Sequence, residues 1–277
     1  MSDSTDPARL SMQYPPGSPG QGGHGPIRVA FIGKGGSGKS TIAGTLARLL
    51  ARDGQRVLAL DVDTMPGLAF SVGLGRTTDE GMPAELGERR EGKGWVLREE
   101  ISAEVLVDRY ALDAPDGVRF LQLGKLPGHV RPGSVTAFRH VIETFRRPGW
   151  SIVGDLAAGT RQSFAGWAGF ASLAAIVVEP TRAALLAAQR LRRVAESMPG
   201  ATFGLIVNKV RSDTLVDRIR GELELPLWAQ VPHDDAVAAA ERAGLAPIDA
   251  APESTAVSEV VRLVSRLREL SGESGGA

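Results

Sequence analysis

The stretch Gly33-Lys34-Gly35-Gly36-Ser37-Gly38-Lys39-Ser40-Thr41 constrains this chain more than any other part of it. It follows the apolar run Ile27-Arg28-Val29-Ala30-Phe31-Ile32 and precedes Ile42-Ala43-Gly44-Thr45-Leu46-Ala47-Arg48-Leu49-Leu50. The first run reads as a strand and the second as an amphipathic helix, so the glycines form a strand–loop–helix turn. Gly33, Gly38, Lys39 and Ser40 meet the spacing G-x-x-x-x-G-K-S/T in full. Glycines let successive backbone N–H groups curl around phosphate oxygens with no Cβ in the way. The helix start adds unpaired N–H donors and the positive end of a dipole. Gly35, Gly36, Ser37, Gly38, Lys39, Ser40 and Thr41 are therefore candidate nucleotide contacts. Lys39 is expected to reach the β- and γ-phosphates, and the Ser40 hydroxyl to ligate Mg²⁺.

The loop also holds a second lysine, Lys34, in a chain whose only others are Lys39, Lys93, Lys125 and Lys209 against many arginines. A compact ammonium on a flexible stem serves where a broad planar guanidinium does not. In the form Lys34-Gly35-Gly36-x-Gly38-Lys39-Ser40-Thr41 the loop resembles the deviant Walker A of the MinD/ParA/nitrogenase-iron-protein class of ATPases. The resemblance implies ATP and Mg²⁺ as ligands and an ATP-dependent homodimer. In that class the early lysine reaches the partner's nucleotide, which makes Lys34 a catalytic candidate beside Lys39.

Composition narrows the setting. At 277 residues, 43% hydrophobic, the chain fits one large domain over 27–270, with a disordered tail at 1–26 and a polar tail at 271–277. The formal net charge of zero gives no general attraction to nucleic acid or anionic lipid. With no cysteine there are no disulfides, thiolate metal sites or cysteine nucleophiles. No apolar run approaches the roughly 20 residues that span a bilayer, and no signal segment opens the chain, so a cytoplasmic enzyme is expected.

Four further strands end in polar residues. Arg56-Val57-Leu58-Ala59-Leu60-Asp61-Val62-Asp63 lacks polar alternation and reads as a buried parallel strand. Ligands of such sheets lie outside the carboxyl ends of the strands, which places Asp61 and Asp63 beside the loop. Acids there hold Mg²⁺ or its waters, or orient the attacking water, although two acids can also simply end a strand. By resemblance this is switch I: Asp63 positions the water as a catalytic residue, and Asp61 takes an Mg²⁺-side or loop-anchoring role. The following Thr64-Met65-Pro66-Gly67-Leu68 departs from the class's Asp-Pro-Asn, which implies slow or differently gated hydrolysis. Trp150-Ser151-Ile152-Val153-Gly154-Asp155 serves as Walker B, with Asp155 toward Mg²⁺ and the Gly159 N–H within reach of a γ-phosphate. Thr202–Lys209 ends in Asn208-Lys209, where an amide can offer donor and acceptor to adenine or merely make a turn. The Val-Pro-x-Asp ending of Leu227–Asp234 resembles the class's adenine-side loop, with Val231 and Pro232 packing by the base.

The remaining segments say less. Residues 75–117 are the least informative, Gly87–Gly94 reading as a solvated charged loop and Ile101–Tyr110 as a helix. Val118–Gly124 is a strand, and a helix runs from about Val135 to Arg146 with Ser134 as N-cap. The strand ending in Gly124-Lys125 resembles the CooC (carbon monoxide dehydrogenase maturation) branch. That branch's metal-binding Cys-x-Cys is replaced here by Arg131-Pro132-Gly133-Ser134. His129 and His140 alone make a poor site, so no transition metal is expected. Leu173–Pro180 is another strand, with Thr181 capping a helix from Arg182. A short helix begins at Ala236, and a terminal helix from Ser254 to Leu270 carries an apolar stripe of Val257, Val260, Val261, Val264 and Leu267, expected to dock on the sheet, with a membrane-lying helix as the alternative.

Together these features imply a three-layer α/β sandwich, a mostly parallel sheet of about seven strands with helices on both faces. The expected function is an ATP-driven dimerisation switch acting as an accessory or maturation ATPase for a protein client. A ParA/MinD-type positioning ATPase on DNA or membrane is the alternative that neutral charge disfavours. A weakly hydrolysing nucleotide-gated regulatory module is the third.

Overall fold

The computed structural model describes residues 25–63, 67–75, 81–124, 131–157, 166–195 and 200–273. In chain order these form β1 (Arg28–Gly33), α1 (Lys39–Arg52), β2 (Arg56–Asp61), α2 (Leu68–Ser71), β3 (Gly87–Arg90), β4 (Gly94–Leu97), α3 (Ala103–Tyr110), β5 (Leu112–Asp113), β6 (Arg119–Gln122) and α4 (Pro132–Thr144). There follow β7 (Trp150–Asp155), β8 (Leu173–Val178), α5 (Arg182–Ala195), β9 (Thr202–Val210), α6 (Asp213–Leu223), β10 (Leu227–Pro232), α7 (Asp235–Ala243), α8 (Pro247–Ala250) and α9 (Thr255–Glu273).

The main sheet has the order β10-β9-β8-β1-β7-β2-β6-β5. Neighbouring strands pair parallel except β5, which closes one edge antiparallel to β6. Seven parallel strands and one short antiparallel edge strand match the expected architecture. Period-two alternation sends residues of each strand to opposite faces. Val29, Phe31, Val57, Val153 and Val177 pack under Ile42 and Leu46 of α1 and Leu263 and Leu267 of α9. Ala30, Ile32, Leu58, Ile152 and Ile176 pack under Leu106 of α3, Phe138 of α4, Leu185 of α5 and Ile219 of α6. Two cores and one sheet make three layers.

The carboxyl ends of β1, β2 and β7 come to one edge. β7 lies between β1 and β2, so Phe31 and Asp61 are each in register with Asp155. That juxtaposition positions everything described below.

Four local expectations need correction. Gly87–Gly94 is not a loop: it holds β3 and the turn into β4, an antiparallel hairpin packed on α4. Helix α4 starts at Pro132 with Arg131 as N-cap, while Ser134 is buried inside the first turn. Proline suits the first helical position, where its missing N–H goes unneeded. In α9, Val261 is 48% exposed, and Ala256, Leu263 and Leu270 join the buried stripe instead. α9 also runs to Glu273, into the segment read as a tail, and Arg268 turns back to Asp53 at 2.7 Å. α6 had no counterpart in the reading above. Lys125, His129 and the tail 1–24 lie outside the described residues.

Leu263 is fully buried, so Leu263→Ala should destabilise by about 2–5 kcal/mol. Val261→Ala should stay within about 0.5 kcal/mol of wild type. Urea unfolding of both variants checks which residues α9 commits to the core.

Candidate functional site

The glycine loop is held by its neighbours on the sheet. A Cβ on Gly33 would lie 2.4 Å from the Val177 carbonyl oxygen, so β1 and β8 approach as only glycine permits. At Gly38, φ is +88° and a Cβ would lie 2.1 Å from Asn208 Nδ2. Both the backbone conformation and the space exclude other residues there. Asn208 Nδ2 donates to Ser37 O at 2.7 Å, and Lys209 Nζ donates to Gly36 O at 2.6 Å. The end of β9 thus fastens two consecutive loop carbonyls. Ser37 N–H closes a turn on Lys34 O at 3.2 Å. Lys39 is buried with its Nζ 3.5 Å from Lys34 O, whereas Lys34, Gly35 and Gly36 are exposed. One loop therefore carries one inward and one outward lysine.

The acids sit beneath it. Ser40 Oγ donates to Asp155 Oδ2, and Asp155 is 2% exposed. Its other oxygen, Oδ1, is buried with no hydrogen-bond partner. Burial pushes the Asp155 pKa up to about 6, against the pull of Lys39 and of the Ser40 hydroxyl. Asp61 is fully buried. Its Oδ1 accepts from Asp63 N at 3.0 Å and its Oδ2 from Leu68 N at 3.1 Å. Of the two roles expected for Asp61, this geometry is that of the loop anchor: its carboxylate ties both ends of 62–68 to the tip of β2. Burial first, and the charge of Asp155 second, hold Asp61 well above the usual carboxylate range. A Cβ on Gly67 would come within 2.9 Å of Ser40 Oγ, so Gly67 lies against the loop's hydroxyl. Asp63 is half-buried just past the strand end. An unpartnered buried carboxylate oxygen beside a serine hydroxyl is a hard-donor set of the kind Mg²⁺ takes.

On the other side of α1's start lies a cavity of about 160 Å³. Asn208, Lys209, Val231 and Pro232 all line it, with Thr41 and Glu241. The four residues expected around a base are thus brought together, although the amide nitrogen of Asn208 already serves the loop. Glu241 on α7 was missed. It accepts from Thr41 Oγ1 across 200 residues of chain, a contact no local pattern announces. Asp234 was named only as part of the Val-Pro-x-Asp ending, yet it caps two helices: Oδ1 accepts from Ala236 N at 3.0 Å, and Oδ2 from Thr255 N at 3.1 Å. An Asp directly before an alanine-rich helix is a readable N-cap signal. Gly159 lies outside the described residues. His140 is on the exposed side of α4, its Nε2 3.3 Å from Thr144 Oγ1.

A glycine loop leading from β1 into α1, with an acid at the tip of the adjoining strand, defines a P-loop nucleotide-binding protein. The chain matches the CobQ/CobB/MinD/ParA nucleotide-binding domain over residues 29–258, and it belongs to that family. An uncharacterised ATP-binding protein of Methanocaldococcus jannaschii is 29% identical over 260 residues, covering 88% of this chain and 98% of that one. The carbon monoxide dehydrogenase accessory protein CooC of Rhodospirillum rubrum is 30% identical over 248 residues, covering 82% and 91%. A ParA family ATPase from Chlorobium tepidum superposes with a TM-score of 0.68 at 18% identity, covering 87% of this chain and 98% of that one. MinD of Pyrococcus horikoshii, solved with Mg-ADP, gives 0.64 at 18% identity, covering 91% and 99%. These two share the fold. Among the described residues no helix is long and apolar enough to cross a membrane.

The carboxyl pair makes a pH prediction. With its folded pKa raised from 3.8 to about 6, Asp155 binds more protons in the native state across that interval. Stability from this group is therefore full below the lower value and is lost as pH rises through the upper one. Without nucleotide or Mg²⁺, the urea midpoint of wild type should fall from pH 4 to pH 7 relative to Asp155→Asn. Parallel profiles would show that Asp155 is not held in this state.

Proposed function

We propose that this chain is a Mg-ATP-dependent ATPase that works as a dimerisation switch for a protein client. The observation that carries the reading is the buried Asp155 carboxylate, one oxygen bonded to Ser40 and the other without a partner, at the foot of the glycine loop. Asp155 and Ser40 would hold Mg²⁺, which supplies charge neutralisation at the phosphates when bound. Lys39, buried in the same loop, balances phosphate charge within its own subunit. Lys34, exposed on the outer side, is free of that duty and serves a partner's nucleotide across a face-to-face homodimer. Charge supplied in trans is typically worth about 10³–10⁵ in rate in phosphoryl transfer. Asp63, held beside the loop through Asp61, orients the attacking water. The Gly159 N–H is assigned to the γ-phosphate. The cavity lined by Asn208, Lys209, Val231 and Pro232 takes the adenine.

Binding favours the dimer and hydrolysis removes the differential contact, so turnover is slow and the output is a change of state. The likeness to CooC, named as an accessory protein of an enzyme, supports a protein client over a positioning role on DNA or membrane. The formal net charge of zero supports the same choice. The domain, which runs through α9 to Glu273, acts in the cytoplasm.

Lys39→Ala should abolish ATP binding by calorimetry. Lys34→Ala should bind ATP yet fail to dimerise with a slowly hydrolysed analogue in light scattering. A Lys34→Ala protein that dimerises normally ends the cross-subunit assignment. Asp63→Ala should reduce steady-state phosphate release at least tenfold while leaving dimerisation intact. Wild type already as slow as Asp63→Ala would favour a regulatory module that barely hydrolyses.

A further inference from the structure

Helix α5 buries one side in the core through Ala184, Leu185, Ala188 and Leu191. Its other side is cationic. Arg182, Leu186, Arg190 and Arg193 follow one another at helical spacing along a single outward stripe, and all four are exposed. Leu186, between the first two arginines, is 59% exposed, the largest value among the exposed apolar side chains of the described residues. The helix contains no acid. Among the described residues, Arg182, Arg190 and Arg193 have no ion pair, whereas Arg192 turns to α6 and meets Glu224 at 3.3 Å. Most other arginines of the fold are paired, including Arg48, Arg119, Arg147 and Arg218. Three arginines without an ion pair thus fall on one stripe of a single helix.

We propose that this stripe is the docking surface for an acidic segment of a protein partner, one that carries carboxylates on either side of an apolar contact. A guanidinium presents a planar fork of donors that matches a carboxylate two bonds at a time. An exposed leucine between two such forks adds an apolar anchor that a nucleic-acid backbone does not use, and a single leucine falls short of the broad apolar face with which a helix enters a bilayer surface. The assignment rests on the protein-client reading above and gives the client a place on the surface.

The surface is also wired to the phosphate loop. Thr181 caps α5, accepting from Ala184 N at 3.2 Å, and its own N–H bonds to Glu179 O at 2.7 Å. The Glu179 carboxylate lies 3.7 Å from Lys209 Nζ, which donates to Gly36 O at 2.6 Å. A partner on α5 and a nucleotide on the loop therefore act on the two ends of one short chain of contacts, and each shifts the affinity for the other.

The test uses the full chain and a fluorescent helical peptide with glutamates at four-residue spacing around leucines, read by anisotropy. A glutamine-for-glutamate peptide, duplex DNA and phosphatidylglycerol vesicles are the other arms. Wild type should bind the glutamate peptide and not its glutamine analogue. Arg190→Ala with Arg193→Ala should weaken binding about tenfold, and Leu186→Ala about threefold, with basal phosphate release unchanged. Mg-ATP should change the wild-type affinity, and Glu179→Gln should keep peptide binding while losing that dependence. Equal binding of the glutamine peptide, indifference to the arginine substitutions, or displacement by DNA or vesicles at lower concentration would overturn the surface. An affinity indifferent to nucleotide in wild type would overturn the coupling. Light scattering on the same samples reports dimerisation separately, so loss of the switch is told apart from loss of the docking site.

Discussion

The end of β9 grips the glycine loop by two adjacent carbonyls, and the shape of the whole site depends on that grip. Lys209 takes the Gly36 oxygen and Asn208 the Ser37 oxygen. In a trans peptide the carbonyl and the following N–H point opposite ways, so fixing the Ser37 carbonyl toward β9 turns the Gly38 N–H away from it. Gly38 itself is at φ +88° with the Asn208 amide where a Cβ would stand. Lys209 adopts the left-handed region as well, at φ +57°, a conformation that costs a non-glycine residue of order 1 kcal/mol or more. The fold holds strain here so that a loop built to receive anions keeps its form.

Beneath the loop the electrostatics run the other way. Asp61 and Asp155 stand in register on adjacent strands, both buried, and the charge of Lys39 acts on Asp155. Burial raises both carboxyls. Asp61 meets the cost with two backbone N–H bonds and so becomes a structural anchor for the segment that begins at Val62. Asp155 has only the Ser40 hydroxyl, and its remaining oxygen is unanswered by protein. Two acids at neighbouring strand tips thus divide into one that holds the backbone after β2 and one with a free oxygen, which the proposed Mg²⁺ would take.

Much of this was legible in the chain, for reasons that differ by residue. The strand–loop–helix around Gly33–Thr41 shows itself because apolar periodicity and glycine spacing are both local. Strand tips ending in Asp61, Asp155 and Asn208 are readable because an unbroken apolar run marks a buried parallel strand and its end marks the ligand edge. The hairpin of β3 and β4 was hidden because Glu88, Arg89 and Arg90 read as a solvated charge run, and its apolar Trp95, Val96 and Leu97 were not paired with them. Along α9, Val260 and Val261 fit an apolar stripe equally well in sequence, and only packing against the sheet separates them. The Thr41–Glu241 contact and the Glu179–Lys209 pair join distant segments, and nothing local to either residue announces them.

The central claim is that the gripped loop and the half-satisfied Asp155 together form a single Mg-nucleotide site. Calorimetric titration of the full chain with ATP, with and without Mg²⁺, tests it most directly. The account predicts one nucleotide per chain, bound at least tenfold more tightly when Mg²⁺ is present. Absence of saturable binding, or an affinity indifferent to Mg²⁺, would contradict it.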